Sequence, residues 1–303
     1  MDGVELGNAR ILKPGKLRWL RAILWMVALF VGLGAGFVLF VNLLFYSAAA
    51  ASDGAFARAK DAPEPLKFVV IGLGALLVIG LYRAAVRYAE NRPVSELSIR
   101  HLPAELLAGL FIGGVLMAAS IGVLWAMGWA IVTPRPIAQW LPAIRESIQS
   151  GVVEEILFRL VVLRLTWRAF GAWWALAFSA LLFGALHLAN PNASIFAALC
   201  IAFEAGILLA TFYILTGRAW APIGVHAGWN FTQGWIFGAA VSGSPGGFAG
   251  GPLLTVPAPG VPELFSGGSF GPEASLPGLL VCTAAGLSLL WLAWRKGAME
   301  RAD

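Results

Sequence analysis

The sequence predicts an all-α membrane protein: a polytopic bundle of about eight transmembrane helices with the N and C termini cytoplasmic. Three observations predict it. Apolar residues make up 59% of the 303-residue chain and charged residues only 12%, where soluble domains run at roughly 45–50% and about 25%. Apolar runs of span length recur along the whole chain. Basic residues fall in alternate connections between those runs. So little charge does not cover a water-soluble fold of this size, and a disordered chain needs the opposite composition.

The runs cover Trp19–Ser47, Leu66–Tyr82, Glu105–Val132, Ile144–Arg168, Trp173–His187, Ala193–Leu215, Trp220–Ala240 and Leu276–Trp294. The fourth is poor by hydropathy, because it carries Arg145, Glu146, Gln149, Glu154, Glu155 and Arg159. It counts because the topology needs it and because Ile156 to Leu165 is strongly apolar. The N-terminal segment holds Arg10, Lys13, Lys16, Arg18 and Arg21, and the second connection holds Arg83, Arg87, Arg92 and Arg100. Arg164, Arg168, Arg218, Arg295, Lys296 and Arg301 fall on the same side. Against these fifteen, the other side has Arg58, Lys60, Lys67, Arg135 and Arg145. The fifteen mark the cytoplasmic face.

The net charge of +5 is then the positive-inside surplus, and nucleic acid is not a partner. Cys200 and Cys282 both sit in apolar runs, which argues against a structural disulfide or a cysteine-ligated zinc. The basic start, apolar stretch and Ala48–Ala51 imitate a signal peptide. The apolar stretch is too long for a signal h-region, so the first run reads as a retained anchor. Gly32 and Gly36 form a GxxxG pair suited to helix packing. No HExxH or Walker A motif is present. Gly267-Gly268-Ser269-Phe270-Gly271 fits G-x-S-x-G, but it lies in a glycine-rich loop and not on a strand–turn–helix elbow. The chain divides into residues 1–135, N-terminal helices with a basic cytoplasmic segment; 136–240, a catalytic core; and 241–303, a Gly/Pro-rich non-cytoplasmic loop and the last helix. The loop, 241–277, reads as irregular.

Ionisable groups inside a span are costly and mark function. Here they gather in the fourth to seventh helices: Glu154, Glu155, Arg159, His187, Glu204 and His226, with the polar amide of Asn230. Glu155 and Arg159 are i,i+4 and share a face, while Glu154 is rotated about 100° from Glu155. Counted from turns at Phe170–Gly171 and Gly217 with the α-helical rise, Glu154 and His187 lie about 25 Å deep. Glu204 and Asn230 lie about 20 Å deep and His226 about 14 Å. The first four reach similar depth, and His226 is the outlier. A carboxylate near a histidine can deprotonate water, and a second histidine with an amide can donate to an oxyanion. The set suits amide hydrolysis by water. Arg159 keeps Glu155 ionised, so Glu155 reads as structural and Glu154 as catalytic.

At these residues the sequence resembles the CAAX protease and bacteriocin-processing (CPBP) family, which includes the Ras-converting CAAX endopeptidase. Glu154-Glu155-Ile156-Leu157-Phe158-Arg159 fits EExxxR, Phe183–His187 fits FxxxH, and His226–Asn230 fits HxxxN. The three stand in order over roughly residues 140–240. The resemblance implies an intramembrane endopeptidase in a mostly eight-helix bundle. Glu154 and His187 would activate water, and His226 and Asn230 would form an oxyanion hole. Both metalloprotease and glutamate-protease mechanisms have been described for such proteins. The metal-free form is favoured here; the alternative is zinc on Glu154, His187 and His226.

Phe183 reads as packing, and Glu155 with Arg159 as a helix-locking pair. Glu204 either supports His187 or His226 or is structural, and His101 is a surface residue. The expected partners are a membrane protein or peptide substrate and the lipid bilayer, in a multi-pass protein of the cell membrane. The competing class is a non-enzymatic membrane protein, a transporter or immunity-type binding partner, using the same polar cluster. The sequence names no particular substrate.

Overall fold

A computed structural model describes residues 3–7, 10–244, 247, 248 and 250–300. Arg301, counted above among the cytoplasmic charges, lies outside them. Helix α1 spans Arg18–Ala50, α2 Glu64–Ala84 with a π-helical end Ala85–Glu90, and α3 Leu102–Ala126. Strand β1, Ala130–Pro134, leads to α4, Leu141–Ile148. That helix continues as π segments Gln149–Glu154 and Ile156–Leu163 and ends as α5, Arg164–Phe170. Helix α6 is Ala172–Leu186; α7, Ile195–Ile201, runs through a π turn, Ala202–Gly206, into α8, Ile207–Thr216. Helix α9, Trp220–Phe231, ends in a π turn, Thr232–Ile236. Strand β2, Leu253–Pro257, the short α10, Glu263–Ser266, and α11, Leu276–Arg295, complete the fold.

Six of these helices are long and apolar enough to cross a membrane: Arg18–Ala50, Glu64–Glu90, Ser95–Ala126, Ala172–Ala189, Ile195–Thr216 and Leu276–Arg295. The protein is a multi-pass helical membrane protein. The two remaining rods, 141–170 and 220–236, are the ones that carry most of the motif residues. Large apolar side chains such as Leu39, Leu76, Phe111 and Leu181 are exposed on the outer faces. In a bilayer those faces meet lipid, which is why the bundle needs no polar coat.

Two boundaries differ from the sequence reading. The third span stops at Ala126 instead of Val132. Gly128 turns the chain (φ +69°), and residues 130–134 pair antiparallel with β2, from Ala130↔Pro257 to Pro134↔Leu253. The seventh span stops at Ile236 instead of Ala240. The Gly/Pro loop is therefore not irregular throughout. An alternation of Val, Thr and Ile with no strand partner nearby in sequence gives little local signal for a two-stranded ribbon.

The close helix seam is also not where a GxxxG search placed it. Nothing approaches a Cβ at Gly32, and one at Gly36 meets only Leu81 at 3.4 Å. The tight seam joins α3 and α9. A Cβ on Gly113 would lie 2.0 Å from the Val225 carbonyl oxygen, and one on Gly228 2.2 Å from that of Leu110. Gly109 and Gly224 face Ala221 and Leu106 backbone at 2.6 and 2.5 Å in the same sense. Two small-xxx-small pairs, Gly109/Gly113 and Gly224/Gly228, thus let two backbones touch and fix the depth of α9, which carries His226 and Asn230.

One end of the bundle is sealed by buried ion pairs. Arg164 binds both oxygens of Glu90 at 2.9 and 2.6 Å. Arg92 bridges Glu90 (2.8 Å) and Glu96 (2.7 and 2.9 Å), and the Tyr82 hydroxyl donates to Glu96. Arg168 donates to the Leu12 carbonyl, which fastens the N-terminal segment across the same end. Bidentate, mutually satisfied pairs of this kind are the form in which buried charge is tolerated.

Candidate active site

The turn centres read from the sequence hold: Gly171 caps α5 with φ +93°, and Gly217 caps α8 in the left-handed region. The α-helical rise assumed above them does not hold. Glu154, Glu155 and Glu204 all lie in or beside π-helical turns, which place more residues in each length of axis than an α-helix and recur at functional sites. That shortening lessens the difference in depth between Glu154 and His226, which line the same cavity.

Glu155 is the hub. It is fully buried; its Oε2 pairs with Arg159 Nε at 2.9 Å, and its Oε1 lies 2.9 Å from His226 Nδ1. Arg159 donates on to the Ala205 carbonyl (3.2 Å) and stands 4.9 Å from the centre of the Phe183 ring. The i,i+4 pair expected from sequence is present, with a second duty: it holds the imidazole of His226. With Nδ1 occupied by a carboxylate, His226 keeps Nε2 for the cavity.

Phe183 packs as expected, 4.8 Å from Phe158, 4.8 Å from His187 and 6.1 Å from His226, ring centre to ring centre. His187 begins a 3₁₀ turn, and its Nδ1 lies 2.8 Å from the Phe183 carbonyl oxygen. A carbonyl only accepts, so Nδ1 carries the proton and a neutral His187 offers Nε2 as an acceptor. Asn230 Nδ2 donates to Ser150 Oγ at 2.9 Å, and Ser150 Oγ donates to the Glu146 carbonyl at 2.9 Å.

Glu154, His187, His226 and Asn230 line one cavity of about 410 Å³, with Ser150 and Ser242 on its walls. Glu64, Gln139, Arg145 and Glu146 form its rim, where Arg145 pairs with Glu146 and Glu64. Behind His187, His226 and Asn230 lies a chamber of about 20 Å³, bounded also by Trp229, Ser242 and Glu273. That is room for about one water. Glu204 joins neither histidine. It is fully buried, and both its carboxylate oxygens lack a hydrogen-bond partner among the described residues.

Sequence reasoning missed Ser150, Ser242 and Glu273. Ser150 stands four residues before Glu154, so helical spacing could have found it. Ser242 and Glu273 come from the Gly/Pro loop, where no spacing rule links them. The Ser242 N–H donates to the Glu273 carboxylate. Burial pushes that carboxyl up to about 7, against the pull of hydrogen bonds from Gln233 and Ser242. Ser269 of the G-x-S-x-G sequence sits in a turn after α10 and lines none of this cavity.

No three His, Cys, Asp and Glu side chains among the described residues stand close enough to share a metal ion.

Fold and site define a class: a multi-pass helical membrane protein with a polar cavity, lined by carboxylate, imidazole and amide groups, inside its bundle. The family model described as type II CAAX prenyl endopeptidase Rce1-like matches residues 136–232, a segment that contains all three motifs. Over that segment the chain is similar to the CPBP/CAAX proteases. No curated protein and no solved structure matches the chain.

Proposed function

We propose that this protein is an intramembrane endopeptidase that hydrolyses a peptide bond of a membrane-anchored or membrane-embedded protein or peptide. The observation that carries the proposal is the meeting of Glu154, His187, His226 and Asn230 on one polar cavity within an otherwise apolar bundle. In this reading eight helices cross the bilayer, with both termini cytoplasmic. Glu154 and His187 take the proton of an attacking water. Asn230, and His226 in its doubly protonated form, donate to the oxygen that becomes the oxyanion. Glu155 holds His226 by Nδ1, Arg159 holds Glu155, and Ser150 orients Asn230. Water activation is assigned to Glu154 and His187 without a metal.

The test uses purified protein in detergent with a responsive substrate. Glu154→Gln and His187→Ala should each abolish cleavage while thermal unfolding stays near that of the parent. Turnover retained in Glu154→Gln would refute the mechanism. A chelator should leave the parent's turnover unchanged; loss restored by zinc would move the site to metal chemistry.

A further inference from the structure

The two ends of the bundle differ in charge and in access. One end gathers the N-terminal segment, the connection between α2 and α3, and the turns at Gly171 and Gly217. Fourteen of the described Lys and Arg residues stand there. The opposite end gathers the β1–β2 ribbon, the α6–α7 connection and the Gly/Pro loop, with five. By the positive-inside bias the first end faces the cytoplasm.

The cavity opens at the second end. Its wall residues come from the start of the fourth rod, the end of α6 and the Gly/Pro loop: Gln139, Ser150, His187, Asn190, Ser242 and Phe248 among them. The ribbon side of this mouth is knit by Trp235 Nε1 donating to the Gln139 carbonyl (2.7 Å) and Asn192 Nδ2 donating to that of Gly243 (3.0 Å). Toward the cytoplasmic end the route is filled. From Glu154 to Phe170 the fourth rod runs on the order of 20 Å through buried Ile156, Leu160, Val161 and Leu163. It ends on the Glu90–Arg92–Glu96–Arg164 network, whose side chains are almost wholly buried. A polypeptide entering there would have to break paired, desolvated charges.

We infer that the site opens on the non-cytoplasmic face, and that its substrate is a membrane-anchored polypeptide whose scissile bond has been carried across or lies on that side. This rests on the endopeptidase reading for the cleavage itself. A protein processed on a tail that stays in the cytoplasm does not reach this mouth.

Two measurements on the full chain test this. In sealed vesicles of known sidedness, an impermeant maleimide should label Gln139→Cys from the non-cytoplasmic side and Lys296→Cys only from the cytoplasmic side. Both native cysteines are buried, so background is low. The reverse pattern would overturn the inference without any reference to activity. In cells, membrane-protein termini present with the parent and lost with Glu154→Gln should map to non-cytoplasmic segments. Cut sites in cytoplasmic segments would overturn the inference and leave the endopeptidase reading standing. No Glu154-dependent termini would sink the endopeptidase reading, and the substrate inference with it, while the labelling still decides the face.

Discussion

Gly113→Ala is a single methyl group placed in the α3–α9 seam, about as far from obvious chemistry as a substitution near this site can be. The new Cβ would stand 2.0 Å from the Val225 carbonyl oxygen, 2.8 Å from its carbon and 2.9 Å from the Trp229 nitrogen. All three neighbours are backbone, so no side chain can swing aside. Relief requires the helices to separate by about 1.5 Å, since carbon contacts settle near 3.5 Å. Val225 precedes His226, so the displacement acts directly on the 2.9 Å contacts His226–Glu155 and Asn230–Ser150. Overpacking of this kind costs about 1–3 kcal/mol, more than the ~1 kcal/mol that alanine gains over glycine in a helix. A 1 Å misplacement of catalytic groups costs roughly 10²-fold in rate. The control is Gly122→Ala on the same helix, where nothing lies within 4 Å. Turnover and thermal unfolding in detergent should be near normal for Gly122→Ala and both impaired for Gly113→Ala. Equal behaviour of the two variants would refute the claim that backbone contact at this seam sets the position of α9.

Glu155→Gln should destabilise the protein by about 3–5 kcal/mol, because it strands the buried Arg159 charge. Adding Arg159→Met should recover stability by thermal unfolding but not turnover, since His226 still lacks its carboxylate. Ser150→Ala should lower turnover about tenfold, and add nothing to Asn230→Ala in a double-mutant cycle if the hydroxyl acts through that amide. Glu273 makes stability depend on pH. Its carboxyl ionises near 4.5 when unfolded and at about 7 when folded, so between those values the folded state holds the extra proton. Stability should therefore fall as pH rises through that window, by roughly 3 kcal/mol at most. Glu273→Gln should flatten the profile, and an unchanged slope in unfolding experiments would show that another group is responsible.

Much of the site was legible because its signals are local. A carboxylate or imidazole in an apolar run stands out wherever the run folds, and the spacings of Glu155–Arg159 and His226–Asn230 fix shared faces. The Glu155–Arg159 ion pair, Phe183 packing and the turns at Gly171 and Gly217 all follow from such short-range rules. The hold of Glu155 on His226 links residues 71 positions apart, and no spacing rule reaches that far. Glu204 shows the limit from the other side: its burial was readable, but not that its carboxylate would meet neither histidine.

The sequence by itself determined the solvent and the cast of residues, because bilayer insertion is governed by summed transfer energies and charge bias along the chain. Tertiary structure decided which residues meet. The β1–β2 ribbon joins segments more than a hundred residues apart. The glycine seam lies between α3 and α9 and not on α1. The Gly/Pro loop supplies Ser242 to the cavity and Glu273 to the small chamber behind it. Each of these depends on surface complementarity between distant elements, a property of packed pairs that neither partner's sequence carries alone.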